Sequence, residues 1–222
     1  KNGLKSSISQ LENSTKKLAT NNNSPKSTKA VSPKTFVNSP KYLNANNALF
    51  PVVMGEFIEL NSGDYYEAVL TGAIGIGKTT IAIYTLVYQL YKLSLLKNPQ
   101  KKFGLDPSSE IVFIIQSVSH HLAKNVDYLR VRELIDKSEY FKNYFPYGSA
   151  KTTELNFPNN ICIQPVPGTA LAALGQNVFG GIIDEMNFMA VIEKSKISKT
   201  AKNTIKRSKA TMLSAGEENQ DL

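Results

Sequence analysis

The stretch that decides the fold is TGAIGIGKTT, residues 71–80, which holds three glycines, one lysine and three threonines. It follows the short apolar segment YEAVLTG at 66–72, which predicts a strand that breaks into a glycine-rich turn. The segment after it, TTIAIYTLVYQLYKLSLL at 79–96, predicts a largely apolar helix of about 27 Å. The stretch therefore joins a predicted strand to a predicted helix.

Residues 72–79 match the pattern G-x-x-x-x-G-K-[ST] in the context that this motif requires. A polyphosphate needs several N–H donors that converge on a small volume, and glycines let the backbone donors converge. Gly72 and Gly77 can take a positive φ at little cost, and the helix beginning near Lys78 adds its partial positive charge. A turn that only connects two elements does not need a lysine and a hydroxyl in succession. The motif predicts a P-loop that binds a nucleotide.

The motif assigns a role to each position. Lys78 is expected to reach the β and γ phosphates of ATP and to act in catalysis, and Thr79 is expected to place its hydroxyl on Mg²⁺. Thr80 adds a donor toward the α phosphate, and Ile74 and Ile76 are expected to pack against neighbouring loops. The predicted nucleotide-binding residues are Gly72, Ala73, Ile74, Gly75, Ile76, Gly77, Lys78, Thr79 and Thr80.

A second element, GGIIDE at 180–185, ends an apolar run with two acids. An acid at the end of a strand beside a P-loop can hold Mg²⁺ through its water shell, and Asp184 is predicted to do so. Glu185 is predicted to orient or deprotonate the attacking water as the catalytic general base. Two adjacent acids can also form a solvated turn, but the P-loop earlier in the chain favours the catalytic interpretation. The two elements together predict a Mg²⁺-dependent ATPase.

The order of predicted elements indicates the fold. Strand, helix, strand, helix, strand is typical of an α/β domain with a central, mostly parallel sheet, here in the three-layer arrangement of P-loop proteins. The further elements predicted are a buried strand at 110–117, helices at 120–138 and 138–146, a hairpin of 154–157 with 160–165, and a strand before Asp184. The aromatic residues at 140–147 recur at helical spacing and are expected to pack in the core.

Charge and composition divide the chain of 222 residues. The formal net charge of +8 arises from +7 over residues 1–50, −2 over 51–192 and +3 over 193–222. The basic ends are therefore weak support for binding of nucleic acid by the central region. We predict a flexible basic tail at 1–48, an ATPase domain at 49–192 and a polar tail at 193–222. The first tail is either a solvated linker or an arm that touches nucleic acid or a partner.

Cysteine usage and hydropathy indicate the compartment. Cys162 is the single cysteine, which rules out an internal disulfide and suits a reducing environment. It is expected to pack as a small hydrophobic residue. The chain has no apolar run long enough for a membrane span and no apolar segment of a signal peptide near residue 1. We expect a soluble, cytoplasmic protein that does not bind membranes.

The pairing of GAIGIGKTT with GTALAALGQNVFGGIIDEMNFM, residues 168–189, resembles the ATPase domain of viral terminase large subunits, the motors that package DNA into phage proheads. The resemblance covers 51–189, and its specific part is the second block. It implies a doubly wound ATPase fold of the additional-strand, catalytic-glutamate class, with ATP hydrolysis coupled to movement of double-stranded DNA. It also implies a homo-oligomeric ring on a portal protein, a small terminase subunit as partner, and action in the host cell cytoplasm.

In such rings an arginine from a neighbouring subunit often completes the site. Arg130 is the candidate here, because Arg132, two residues on, lies on a different face of the predicted helix.

The resemblance fails after the acidic strand, where a further strand and a nuclease domain are missing, so we expect an isolated ATPase domain without nuclease activity. Two alternatives stay open: another nucleic-acid ATPase such as a helicase, and a nucleotide-binding assembly fragment without turnover.

Smaller features carry further expectations. Gln116 and Ser117 follow a strand and are candidates to sense the phosphates, while His120 and His121 lack a third ligand for zinc and are expected at the surface. The tyrosines at 65–66 either stack on an adenine ring or pack under the sheet.

Overall fold

The computed structural model describes residues 29–46, 48–63, 65–148, 153–168, 173 and 175–186. The helices are α1 (Pro33–Asn38), α2 (Pro51–Leu60), α3 (Lys78–Ser94), α4 (Pro99–Lys102), α5 (His120–Leu122), a π-helical segment (Ala123–Tyr128), α6 (Leu129–Lys137) and α7 (Glu139–Tyr144). The strands are β1 (Ile111–Gln116), β2 (Leu155–Phe157), β3 (Ile161–Val166) and β4 (Asn177–Ile183). Among the described helices, none combines the length and the apolar character that a membrane crossing needs.

The four strands form one sheet in the order β2-β3-β1-β4. Strand β1 is parallel to both β3 and β4, and β2 is antiparallel to β3. The hairpin between β2 and β3 turns at Asn159 and Asn160, which both have a positive φ, as asparagine tolerates. All six residues of β1 are buried, as expected of a strand with a parallel neighbour on each side. The prediction of a mostly parallel sheet is confirmed.

The two faces of the sheet are covered unequally. Ile111, Phe113 and Ile115 of β1 belong to the large hydrophobic cluster that includes the buried residues of α3 and α6. Val112 and Ile114, which point the other way, belong to a small cluster with Val166, Ala173 and Val178. The described residues therefore show the sheet and one helical layer, and the third layer stays a prediction.

The helices that the apolar periodicity predicts form at the predicted positions. Helix α3 begins directly after Gly77, which has a left-handed conformation, and its buried side chains include Tyr88 and Tyr91. The segments α5, π-helical and α6 follow one another without a break, so the predicted helix at 120–138 is confirmed with an unexpected π-helical turn. Tyr140, Phe141 and Phe145 are buried, as predicted.

The predicted strand at 66–72 is wrong. These residues are irregular in the structure, and Val69 is 62% exposed. A strand needs a neighbour to pair its backbone, and within the described residues the sheet ends at β4, where Gly181 is exposed. The short apolar run therefore leads into the P-loop as an irregular connection, and only its Leu70 packs against the large cluster.

The predicted flexible tail is too long at its C-terminal end. Within 29–48, α1 forms with Ser32 as its N-cap, and Phe36 and Val37 are fully buried. The Phe36 ring stacks on Tyr91 with centroids 4.8 Å apart, and the Tyr88 hydroxyl donates to the Val31 carbonyl at 2.7 Å. Aromatic contacts with α3 therefore hold this segment despite its polar composition. Residues 1–28 and the predicted tail at 193–222 lie outside the described residues.

Gly168 sits where the chain after β3 passes very close to the chain after β1. A Cβ at this position would lie 2.8 Å from the Ser117 carbonyl oxygen and 3.1 Å from that of Val118. An alanine here would force the two backbone segments apart, which costs free energy. We therefore expect Gly168→Ala to lower the free energy of unfolding by about 1–3 kcal/mol in urea denaturation.

Gly55→Ala is the matched control for that change. Gly55 lies inside α2, and nothing lies within 4 Å of the position of an added Cβ. Alanine is favoured over glycine in a helix interior, so this variant should gain about 0.5–1 kcal/mol. If Gly168→Ala and Gly55→Ala changed the free energy of unfolding by the same amount, the close backbone approach at Gly168 would be contradicted.

Candidate functional site

The P-loop glycines take the conformations that the motif requires. Gly72, Gly75 and Gly77 have φ values of 131°, 86° and 95°. The positive φ predicted at Gly72 and Gly77 is therefore confirmed, and Gly75 shares it. A Cβ at Gly72 would lie 2.5 Å from Cδ1 of Ile76, and one at Gly77 would lie 3.0 Å from Cγ2 of Val53 on α2. Side chains at these positions would be strained in φ and would also crowd the loop.

Lys78 closes over the loop that precedes it. Its Nζ donates to the carbonyl oxygens of Gly72 at 2.9 Å and Ala73 at 2.7 Å. The ammonium is thus held at the mouth of the loop, beside the N-terminal end of α3. The first N–H groups of a helix have no partner within that helix. The cradle of left-handed glycines, the lysine and these donors fit a polyphosphate with its Mg²⁺.

The loop itself is open to solvent. Residues 71–76 are exposed, and the side chains of Ile74 and Ile76 are 102% and 49% exposed. The prediction that these two isoleucines pack against neighbouring loops is therefore wrong. Without a strand pairing at 66–72, no neighbouring segment of the described chain covers them.

Arg130 reaches the P-loop helix of its own chain. Its Nη2 donates to the Thr80 hydroxyl oxygen at 3.0 Å. Our sequence interpretation assigns Arg130 to the site of a neighbouring subunit, and this assignment stays a prediction. Within its own chain the arginine contacts the first turn of α3. Arg132 lies on another face, as predicted, and its Nε is 3.6 Å from an Asp136 carboxylate oxygen. Arg130 therefore lies close to the P-loop of its own chain.

The two predicted acids lie at the end of β4. The Asp184 N–H donates to the Gln116 carbonyl at 2.8 Å, which fixes the acid to the end of β1. Glu185 has a φ of 57°, and its N–H donates to Oδ1 of Asp184 at 3.0 Å. Asp184 is half-buried and Glu185 is exposed. The left-handed turn at Glu185 directs the chain away from the strand direction just where the acids begin.

A third carboxyl group, on Asp127, lies beside these acids. Asp127 belongs to the π-helical segment and is only 1% exposed. Burial, followed by repulsion from Asp184, raises the pKa of Asp127 from 3.8 to about 6, against the lowering effect of Arg130. A side-chain hydrogen bond with Asp184 and the charge of Glu185 raise that pKa further. The charge of Arg130, which donates to Thr80 of α3, therefore acts on the same carboxyl group as the acids at the end of β4.

The sequence carried a signal for Asp127 that our prediction missed. Residues 123, 127, 131 and 135 recur at helical spacing, and Ala123, Val131 and Ile135 are all buried. Asp127 is the one acid in this apolar stripe. An acid on the buried face of a helix requires a partner or a function.

The remaining predicted positions are placed as follows. Gln116 and Ser117 are buried, and Nε2 of Gln116 donates to the Pro167 carbonyl at 3.0 Å, so this amide is used in structure. Tyr65 and Tyr66 are exposed and do not pack under the sheet. His121 is exposed, as predicted. Within the part of the chain that the structure describes, no group of three or more His, Cys, Asp or Glu side chains is arranged to hold a metal ion.

The raised pKa of Asp127 predicts an unusual dependence of stability on pH. Between pH 4 and 6 the native state keeps a proton at Asp127 that the unfolded chain has released, so stability falls as pH rises through this window. One pKa unit corresponds to about 1.4 kcal/mol, which makes the loss on the order of 2–3 kcal/mol. Asp127→Asn should remove it.

Urea denaturation of wild type and Asp127→Asn in metal-free buffer, from pH 4 to pH 7, checks this prediction. The stability of the variant relative to wild type should rise with pH across the window. Asp136→Asn, at an exposed position of α6, is the control and should not produce this rise. A difference between Asp127→Asn and wild type that does not change with pH would refute the assignment.

Comparison with known families agrees with this geometry. Residues 57–212 match the family described as "Uncharacterized protein MJ0330, N-terminal P-loop domain". This range contains the P-loop, all four strands and the acids of β4, and it continues past the domain end that we predicted at 192. Neither a curated protein nor a solved structure matches the chain. The chain therefore belongs to the family of the MJ0330 N-terminal P-loop domain.

Proposed function

We propose that this P-loop domain is a Mg²⁺-dependent ATPase. The observation that carries the proposal is the connection between the phosphate cradle and the acidic strand end. Lys78 lies over the cradle at the start of α3, and Arg130 donates to Thr80, two residues further along that helix. The charges of Arg130 and Asp184 both act on the carboxyl group of Asp127. One acid at this place is sufficient to hold Mg²⁺, and the adjacent Glu185 supplies a second carboxylate that hydrolysis can use as a base.

Each residue has a defined task in hydrolysis. Lys78 exchanges its two carbonyl partners for phosphate oxygens, with which it makes stronger, charge-assisted hydrogen bonds. Thr79 and Asp184 are the candidates to hold Mg²⁺, which when bound neutralises charge on the β and γ oxygens. Glu185 is exposed and adjacent to Asp184, so it can accept a proton from an attacking water. Arg130 adds a positive charge at the same helix.

We further propose that hydrolysis is coupled to double-stranded DNA, as in terminase large subunits. The support is the resemblance of GTALAALGQNVFGGIIDEMNFM, at 168–189, to that family. On this proposal the chain works as a homo-oligomeric ring, with a portal protein and a small terminase subunit as partners, in the host cell cytoplasm. The position of Arg130 at its own loop means that a ring need not depend on this arginine in a neighbouring site.

Phosphate release by the purified chain, with and without double-stranded DNA, tests the proposal. Hydrolysis that DNA stimulates supports a DNA-coupled ATPase, and hydrolysis that DNA does not change supports the ATPase alone. Binding of a non-hydrolysable ATP analogue without any turnover of ATP supports the assembly fragment instead. Single-stranded DNA in a parallel assay separates a helicase from a motor on duplex DNA.

A further inference from the structure

Asp127 has a buried oxygen that nothing in the described chain satisfies. Its Oδ1 is inaccessible to solvent and has no hydrogen-bond partner among the described residues. Native structures pair almost all buried polar atoms, and an exception indicates a function or a missing ion or water. The exception here is one oxygen of a carboxyl group, and a charged oxygen is especially costly to bury without a partner.

The surroundings of Asp127 indicate what is missing. Its carboxyl group interacts with that of Asp184, and Glu185 adds a further negative charge nearby. Arg130 is the nearby positive charge, but its Nη2 is engaged by Thr80. Two neighbouring carboxylates repel each other unless a cation or a proton lies between them. A divalent cation between them would replace one repulsion by two attractions.

We propose that Asp127 and Asp184 together hold the divalent cation of this site, so that Asp127 supplies a second carboxylate to the metal. This inference rests on the proposed ATPase function, which assigns Asp184 to the metal. Mg²⁺ is commonly bound by one or two carboxylates, with phosphate oxygens and waters as its other ligands. A pair of carboxylates is therefore sufficient, and no larger cluster of protein ligands is needed.

The π-helical segment gives the pair its geometry. Asp127 lies on the same stripe as Ala123 and Val131, which pack in the core, so the backbone directs its side chain inward rather than toward solvent. Asp184 is anchored from the other side by its N–H bond to Gln116. The two carboxylates are thus presented by two different elements, the helical segment and the end of the sheet. π-Helical turns are frequent at functional sites, where they place a particular side chain.

The test measures the ion directly. Mn²⁺ replaces Mg²⁺ as a paramagnetic probe, and electron paramagnetic resonance counts the free ion during titration of the full chain without nucleotide. We expect a weak site in wild type whose dissociation constant rises by at least about tenfold in Asp127→Asn and in Asp184→Asn. Asp136→Asn is the matched control and should bind Mn²⁺ as wild type does. Wild-type affinity in Asp127→Asn would overturn the proposal.

A second readout separates metal binding from a structural role. If Asp127 only supports the fold, Asp127→Asn should unfold more easily in metal-free buffer and leave the Mn²⁺ affinity unchanged. If it holds the ion, the variant should be as stable as wild type or more stable without metal. Should Asp127→Asn fail to fold, Asp184→Asn alters the half-buried member of the pair, and unchanged Mn²⁺ affinity there overturns the proposal.

A titration with a non-hydrolysable ATP analogue distinguishes this proposal from the proposed function. When Mn²⁺ is saturating, Asp127→Asn should bind the analogue within about twofold of wild type, because the cradle around Lys78 is unchanged. Unchanged Mn²⁺ affinity in Asp127→Asn, together with normal analogue binding by the wild type, refutes only the metal pair. Failure of wild type to bind the analogue, with the Mn²⁺ site still present, refutes only the ATPase.

Discussion

Lys78→Ala is expected to abolish ATP hydrolysis and to weaken nucleotide binding strongly. Each charge-assisted hydrogen bond to phosphate contributes roughly 1.5–3 kcal/mol, and one or two such bonds are lost. Since 1.4 kcal/mol corresponds to about a tenfold change in affinity, the dissociation constant should rise by a factor on the order of 10–10⁴. Isothermal titration with a non-hydrolysable ATP analogue and a phosphate-release assay measure the two effects.

The control for this change is Lys101→Ala, which removes an exposed lysine from α4. It should leave both binding and turnover at the wild-type level. Because Lys78 also bonds to the carbonyls of Gly72 and Ala73, the folding of the variant is checked by its melting temperature. Turnover by Lys78→Ala at the wild-type rate would refute the assignment of the loop as the catalytic site.

Glu185→Gln is expected to stop hydrolysis while nucleotide binding persists. The amide keeps the shape of the side chain but cannot accept a proton from water, and loss of a general base typically lowers a rate by about 10²–10⁴-fold. Glu185 is exposed and has no part in the cradle, so the affinity for an ATP analogue should change little. Single-turnover hydrolysis and analogue titration on the same preparation measure the two quantities.

Glu133→Gln provides the matched control on α6, where Glu133 is an exposed partner of Lys137. It should hydrolyse ATP as wild type does. If Glu185→Gln loses analogue binding together with turnover, Glu185 has a role in binding rather than as the base. If it retains full turnover, another residue activates the water.

The sequence was sufficient to predict the elements whose periodicity is local. The continuous apolar run of β1, the helix of α3 and the Asn-containing hairpin of β2 and β3 all formed within two residues of the predicted ends. The motif also predicted the backbone of the cradle, because it places glycines, which tolerate a positive φ, at positions 72 and 77. These features depend on neighbouring residues in the chain.

Features that depend on distant residues were missed. The run before Gly72 has strand-like composition, but pairing requires a neighbouring strand that local sequence cannot supply. Residues 29–48 are polar on average, yet a few aromatic side chains find partners on α3. Asp127 is an ordinary acid in a helical pattern until the fold brings it to Asp184. In all three cases the structure depended on contacts with residues that are distant in the sequence.

The π-helical turn at Ala123–Tyr128 also affects how relatives of this protein should be aligned. A π-helical hydrogen bond spans five residues instead of four, so the turn accommodates more residues than an α-helical turn of the same rise. A relative with an uninterrupted α-helix here would need a gap opposite this segment. An ungapped alignment would place Asp127 opposite a residue that faces elsewhere, and a carboxylate retained in both proteins would look substituted.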